Sequence, residues 1–197
     1  MPTVTSETEI ANLALTRLGH FEITALTENT KAGRLCNRHY VSSRASTLRP
    51  HPRNSPTRPP DLARGTPEPA FEYTYQFPLP SDFLKIIRTE DESAGYIEDY
   101  RIEGTASDGL CLLSYEEAVA IEYIARVEDV AQYDALFVDV LAQRLAMEIC
   151  VPLTDNSTLY KNVSDIYQMK LREARSVDAQ EGTPRDPVVD YWLSARI

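Results

Sequence analysis

The feature that most constrains the fold of this chain is a change in the period of its hydrophobic pattern. Before residue 49 and after residue 128, apolar residues recur at the spacing of an α-helix. Between them, over 70–127, they alternate with polar residues, which is the period of a β-strand. The sequence therefore predicts an α+β fold, in which an antiparallel β subdomain is inserted into a four-helix bundle. The predicted units are the helical bundle (1–49 and 128–182), a Pro/Arg-rich loop (50–69), the β-rich insertion (70–127) and an extended C-terminal tail (183–197).

The first two helices are predicted from their caps. Ser6 followed by Glu9 is a capping-box pattern, and Gly19 can take the left-handed conformation that ends a helix. A second helix begins near Thr30 and stops at Pro50, with Arg44 expected to face outward. The inward stripe of the first helix is Ile10, Leu13, Ala14 and Leu18.

The third and fourth helices follow the insertion. The third covers 133–150 and is expected to break at Pro152. The fourth is capped by Asp155 or Ser157 and runs to about Gln180. Its predicted inward stripe is Leu159, Val163, Ile166, Tyr167, Lys170, Leu171 and Ala174.

The insertion begins with an aromatic segment. Phe71, Tyr73, Tyr75 and Phe77 alternate with polar residues, which predicts one aromatic face of a strand or an extended segment. The next segment, 83–88, is a second strand or the start of a short helix. The segments that complete a predicted antiparallel meander are 96–102, 109–114 and 118–127.

The Pro/Arg-rich loop has two interpretations. Its prolines exclude a helix or a central strand. It is either a flexible linker or a basic, extended arm that contacts a neighbouring subunit, since polyproline geometry lowers the cost of ordering such an arm. The candidate contact residues are Arg49, Arg53, Arg58 and Arg64.

The charge of the chain is −10 and is unevenly distributed. Acidic residues dominate 90–139, where only Arg101 and Arg126 oppose them. This distribution argues against a surface that grips nucleic acid, because phosphate neutralisation drives such binding. It suits either simple solubility or a surface that DNA slides past without sticking.

The tail contains the only Trp of the chain, with Tyr191 and Leu193 beside it. It either folds back to cap the core or docks on a partner. Docking is favoured, because Pro184 and Pro187 hold it away from the preceding helix and aromatic residues beside Arg anchor protein interfaces. The candidate docking residues are Val188, Val189, Tyr191, Trp192, Leu193, Arg196 and Ile197.

No catalytic, metal-binding or cofactor-binding residues are predicted. The chain has no Gly-x-Ser-x-Gly elbow, no Walker lysine loop and no dinucleotide glycine triplet. Its three cysteines lack zinc or redox spacing and are expected to be reduced, buried thiols made in a cytoplasm. Neither a membrane-spanning run nor a signal peptide is recognisable.

Six segments in order resemble the tail tubular protein A family of tailed phages. These segments are distributed along the chain from the first predicted helix to the end of the last one. They are 10–19 (Ile-Ala-Asn-Leu-Ala-Leu-Thr-Arg-Leu-Gly), 32–40, 73–84, 123–127, 137–142 and 174–182. The sequence departs from the family after Pro50, where His51, Pro52 and Arg53 replace an aromatic residue and a longer apolar continuation.

The resemblance implies a structural virion protein of the phage neck, a head-to-tail adaptor. Members of that family are similar in having a four-helix bundle and a β domain. They form a twelve-fold ring between the portal protein and the tail nozzle or tube. By analogy, the tail of this chain docks on the portal, the Pro/Arg loop meets a neighbour or the tail protein, and DNA passes through the lumen without specific binding. The candidate channel-facing acids are Glu90, Asp91, Glu92, Glu116 and Glu117.

Two other classes remain as alternatives. A DNA-packaging ring component, such as a small terminase subunit, is expected to have a basic helix-turn-helix near the N-terminus. The first helix instead carries Glu7, Glu9 and Arg17, which argues against that class. An enzyme is the weaker alternative, because adjacent acids such as Glu116 and Glu117 point apart on a strand.

Overall fold

The computed structural model describes residues 4, 6–50, 56–57, 62–66, 69, 71–91, 95–97, 99–105 and 109–181. These residues form four α-helices and two small antiparallel sheets, and the strands lie between the second and third helices. The mixed α+β fold predicted from the change of period is confirmed. The helices are α1 (Glu7–Arg17), α2 (Lys31–Leu48), α3 (Ala135–Thr154) and α4 (Ser157–Glu181).

The first two helices begin and end on their predicted signals. Ser6 Oγ accepts the N–H of Glu9 at 3.2 Å, and Glu9 Oε2 accepts the N–H of Ser6 at 3.2 Å, which completes the capping box. Gly19 has a φ of +67° and closes α1, with the His20 N–H donating to Leu15 O at 3.0 Å. Thr30 caps α2 through its side-chain oxygen.

The junction between α3 and α4 differs from the prediction. Pro152 lies inside the last turn of α3, where its missing N–H removes only one hydrogen bond close to an exposed end. The helix ends at Asp155, whose φ is +53°. Asn156 caps α4, rather than Asp155 or Ser157, because its Oδ1 accepts the N–H of Leu159 at 2.9 Å.

Helix α3 is the centre of the helical part and contacts α1, α2 and α4. Phe137, Leu141 and Leu145 of α3 are fully buried in a core that α1 and α2 complete. Two residues predicted to face inward are exposed instead: Leu13 is 39% exposed and Ile166 is 40% exposed. The α4 side chains buried against α3 are Val163, Tyr167, Leu171 and Ala174.

The insertion is not the predicted meander, because its strands pair across the chain. In one sheet the order is β1-β7-β3-β4, and in the other it is β2-β6-β5. Ile86 of β3 lies opposite Tyr123 of β7, whereas β5 and β6 form a local hairpin. The strands are β1 (Pro56–Thr57), β2 (Tyr75–Pro78), β3 (Phe83–Asp91), β4 (Gly95–Tyr96), β5 (Tyr100–Thr105), β6 (Gly109–Ser114) and β7 (Ala120–Ala125).

The aromatic segment at the start of the insertion is only partly a strand. Tyr75 and Phe77 lie in β2, and Phe77 is buried in a second core between the sheets. Phe71 is 83% exposed, and Glu72 has a φ of +69°. The single aromatic face predicted from the alternation is therefore interrupted before Tyr73.

Part of the Pro/Arg-rich stretch is attached to the sheets. Pro56 and Thr57 pair with β7 at a sheet edge, the position that tolerates proline. Further along, the Leu62 N–H donates to Val119 O and the Gly65 N–H donates to Gln76 O, each at 2.8 Å. Within the described ranges, no helix combines the length and the apolar character needed to cross a membrane.

Candidate functional site

Most of the residues predicted to dock on partners or to face the channel lie outside the described residues. This holds for the seven candidate docking residues of the tail, and also for Arg53, Arg58 and Glu92. Their roles stay predictions. Arg49, Arg64, Glu116 and Glu117 are described with their side chains.

Arg49 lies on the rim of a groove of about 850 Å³ between the end of α2 and the two sheets. Phe83 of β3 together with Ile102 and Leu110 of the β5–β6 hairpin supply apolar lining. Lys85 is a second cation in the lining, which contains no acid among the described residues. An open groove with apolar lining and two cations suits an apolar group that has negative charge beside it.

Arg64 has an intramolecular contact. Its guanidinium carbon lies 4.0 Å from the centre of the Tyr75 ring, a cation–π arrangement. Arg49 and Arg64 therefore occupy different places, one on the groove and one on β2. The structure does not bring these two predicted loop contacts together.

Two acidic segments of the insertion lie at the same end of the β3–β7 pair. Glu90 and Asp91 lie at the end of β3, where Glu90 pairs with Ala120 of β7. Glu116 and Glu117 lie in the turn that leads into β7, and the Glu116 N–H donates to Ser114 Oγ at 3.2 Å. The pairing of β3 with β7 thus places two acidic segments, distant in sequence, near each other.

Arg44 is the main side chain that the sequence interpretation placed wrongly. It was expected to face outward, yet only 4% of the residue is exposed. Its guanidinium donates to Glu7 Oε1 of α1 at 2.9 Å and to Glu128 Oε1, which follows β7, at 3.2 Å. It also lies over the Tyr40 ring at 5.9 Å. Arg44 therefore joins α1 and α2 to the segment that leaves the sheets.

The spacing of Arg44 contained a signal. Cys36, Tyr40 and Leu48 are buried on one stripe of α2. Cys36 and Tyr40 are four residues apart, and Leu48 follows Tyr40 after eight. Arg44 occupies the missing place in that stripe. An arginine on an apolar stripe is buried when acids from other elements can pair with it, and the sequence of α2 does not reveal Glu7 and Glu128.

A second ionic contact joins three helices at Asp139 of α3. Its carboxylate accepts hydrogen bonds from Arg17 of α1 and Lys170 of α4, and its carbonyl oxygen accepts from Arg17 Nη1 at 2.8 Å. Burial lowers the pKa of Arg17, although the Asp139 carboxylate opposes this shift. The pairing fixes the helices relative to one another.

The described residues contain no group of three or more His, Cys, Asp or Glu side chains arranged to hold a metal ion. Cys36, Cys111 and Cys150 are buried and free of disulfides. Burial raises the pKa of the Cys36 thiol to about 11, which keeps it protonated and poorly nucleophilic.

A scan against models of known protein families finds no match for this chain, and a search of curated proteins finds no matching relative either.

Proposed function

We propose that this chain is a structural virion protein, a head-to-tail adaptor that joins the portal protein to the tail of a phage. One observation supports this proposal above others. The segments that resemble the tail tubular protein A family fall on α1, α2, β2–β3, β7, α3 and α4 in that order. The resemblance implies two helices, a β insertion and two further helices, and this order of elements agrees with it.

The finer architecture belongs to the same proposal. The four helices constitute a bundle around α3, and the tail 183–197 extends from it to dock in clefts of the portal. Val41 of α2 and Met169 of α4 support an assembling subunit, since both apolar side chains are more than half exposed. Twelve copies form the ring, with the tail nozzle or tail tube beneath it.

The distribution of charge supports a lumen that DNA passes through without being held. The chain has a charge of −10, and two acidic segments converge at the β3–β7 end of one sheet. Because like charges repel, a channel wall of this character would not retain DNA. Binding is the whole activity of such a protein, and many equivalent contacts in a ring compensate for the ordering of each tail.

The test is the light-scattering mass of the full-length chain and of a chain lacking residues 183–197, each alone and mixed with the cognate portal protein. The proposal expects the full-length chain to join the portal as a ring and the shortened chain to remain apart. Thermal melting of the shortened chain is the control for folding. A full-length chain that ignores the portal, or one that binds duplex DNA with strong salt dependence, would contradict the proposal.

A further inference from the structure

One aromatic side chain of the β insertion, Phe71, is exposed to solvent at a strained turn. Phe71 is 83% exposed, and the Tyr73 N–H donates to its carbonyl oxygen at 2.9 Å across Glu72. Glu72 has a φ of +69°, which is uncommon for a residue other than glycine. Its carboxylate lies 3.6 Å from Arg101. A strained turn that exposes a phenylalanine costs free energy, and such strain is concentrated where chains bind their partners.

The surroundings of Phe71 are aromatic and acidic. The rings of Tyr73 and Tyr115 lie 4.9 Å apart, and Tyr73 Oη donates to Asp99 at 3.0 Å. Glu103 lies 3.1 Å from Arg101, which also faces Glu72. Glu72 and Glu103 therefore flank the Arg101 guanidinium, and the third carboxylate, Asp99, lies beside Tyr73. We call Phe71 with Glu72, Tyr73, Asp99, Arg101, Glu103 and Tyr115 the Phe71 surface.

The groove beside α2 has the complementary character. It is apolar, with Arg49 and Lys85 as its charged residues, and about 850 Å³ accommodates an aromatic side chain. It also lies on the opposite face of β5. Ile102 lines the groove, whereas Arg101 and Glu103 alternate with it and belong to the Phe71 surface.

We propose that Phe71 of one copy inserts into the groove of the next copy, with its surrounding carboxylates facing Arg49 and Lys85. Two different surfaces on opposite faces of one sheet make a head-to-tail contact, which closes into a ring when the rotation between copies allows it. The inference deepens the proposed function, on which it rests, by assigning the contact between subunits. It also gives Arg49 a specific partner surface.

Cross-linking between two labelled chains tests the contact without disturbing it. Thr74→Cys places a thiol near Phe71, and Ser46→Cys places one in the groove lining; both residues are exposed. The three natural cysteines are buried and should not compete. A short bismaleimide should join a Thr74→Cys chain to a Ser46→Cys chain, and mass spectrometry identifies the linked pair.

The matched variants decide the outcome. Adding Phe71→Ala to the Thr74→Cys chain should slow the cross-link about tenfold or more, as expected for a buried aromatic anchor. Adding Phe21→Ala should leave the rate unchanged, although Phe21 is also exposed, at 88%. A Phe71→Ala chain that cross-links as fast as its parent overturns the inference, as does slowing by Phe21→Ala alone. Circular dichroism melting confirms that each variant is folded.

Mixing two defective chains tests the head-to-tail geometry. A Phe71→Ala chain retains the groove, and a Leu110→Glu chain retains Phe71 but places an acid in the groove. Neither should associate alone, whereas an equal mixture should form dimers and nothing larger. A mixture that forms no dimer, or single variants that still form larger assemblies, contradicts the arrangement.

These results are distinguishable from the portal experiment. A chain that cross-links in this pattern but ignores the portal keeps the contact between copies and loses the adaptor role. A chain that joins the portal without the cross-link keeps the adaptor role and loses this contact.

Discussion

The helical part and the β insertion use the same residue types in opposite ways. In the helical part, Arg44 is buried and Arg17 is mostly covered, and each pairs with acids from other elements. In the insertion, Arg101 is more than half exposed and its acids are exposed to a similar degree.

The two parts therefore have different roles in stability and in binding. Ion pairs whose cations are mostly covered link α1 to α2 through Arg44, and α1 and α4 to α3 through Asp139, which favours one arrangement of the helices. Exposed pairs and aromatics of the insertion add little to stability but remain available to a partner. We infer that the helical part determines the fold and the insertion presents the surfaces. Four predictions test this division.

The largest expected effect comes from the helical core. Phe137→Ala should reduce the free energy of unfolding by about 3–5 kcal/mol, because it removes a fully buried ring that packs on Tyr133 at 4.7 Å. Ile166→Ala, on an exposed part of α4, should cost less than about 1.5 kcal/mol. Urea denaturation followed by circular dichroism measures both. Equal costs would show that the helical core is not what stabilises the chain.

The second effect compares two arginines. Arg44→Met should cost about 1–3 kcal/mol, since it breaks a buried guanidinium contact while its acids, Glu7 and Glu128, keep some contact with water. Arg101→Met should cost about 0–1 kcal/mol, because its ion pairs are exposed. The same urea titrations at low and high salt measure these differences. A larger cost at Arg101 than at Arg44 would reverse the proposed division.

A smaller effect concerns the end of the helical part. Asn156→Ala should cost about 1 kcal/mol, because Asn156 accepts the Leu159 N–H that begins α4. Ser157→Ala is the matched control and should change little, since Ser157 lies inside the helix rather than at its cap. Thermal melting compares the two. A larger loss from Ser157→Ala would restore Ser157 as the cap.

The effect that is smallest at neutral pH is a pH dependence within the insertion. Burial, followed by the Asp82 carboxylate that accepts its hydroxyl at 3.1 Å, raises the pKa of Tyr123 to about 12. In the unfolded chain the Tyr123 phenol ionises near pH 10. The stability that the neutral phenol contributes to the folded chain is therefore present below about pH 10 and is lost as the pH rises to about 12. Tyr123→Phe should make this alkaline loss shallower. Urea titrations between pH 9 and pH 12 on both chains measure it, and an unchanged slope would contradict this role.

Some local features of the structure could be predicted from the sequence and others could not. The caps at Ser6, Gly19 and Thr30 were predicted correctly, because a cap is a hydrogen bond between residues a few positions apart. The prediction that Pro152 breaks α3 is wrong, because the rule for proline in a helix interior does not hold within the last turn. Arg49 was named from sequence, but Lys85, its neighbour in the groove, was not.

The caps of α1 and α2 and the presence of strands between α2 and α3 could be predicted from the sequence alone, because they depend on local hydrogen bonds and on the period of apolar residues. It is the tertiary structure that pairs β3 with β7, buries Arg44 between two distant acids and joins three helices at Asp139. These contacts link residues far apart along the chain. Their free energy depends on which elements meet, and a periodic pattern along one segment does not specify that.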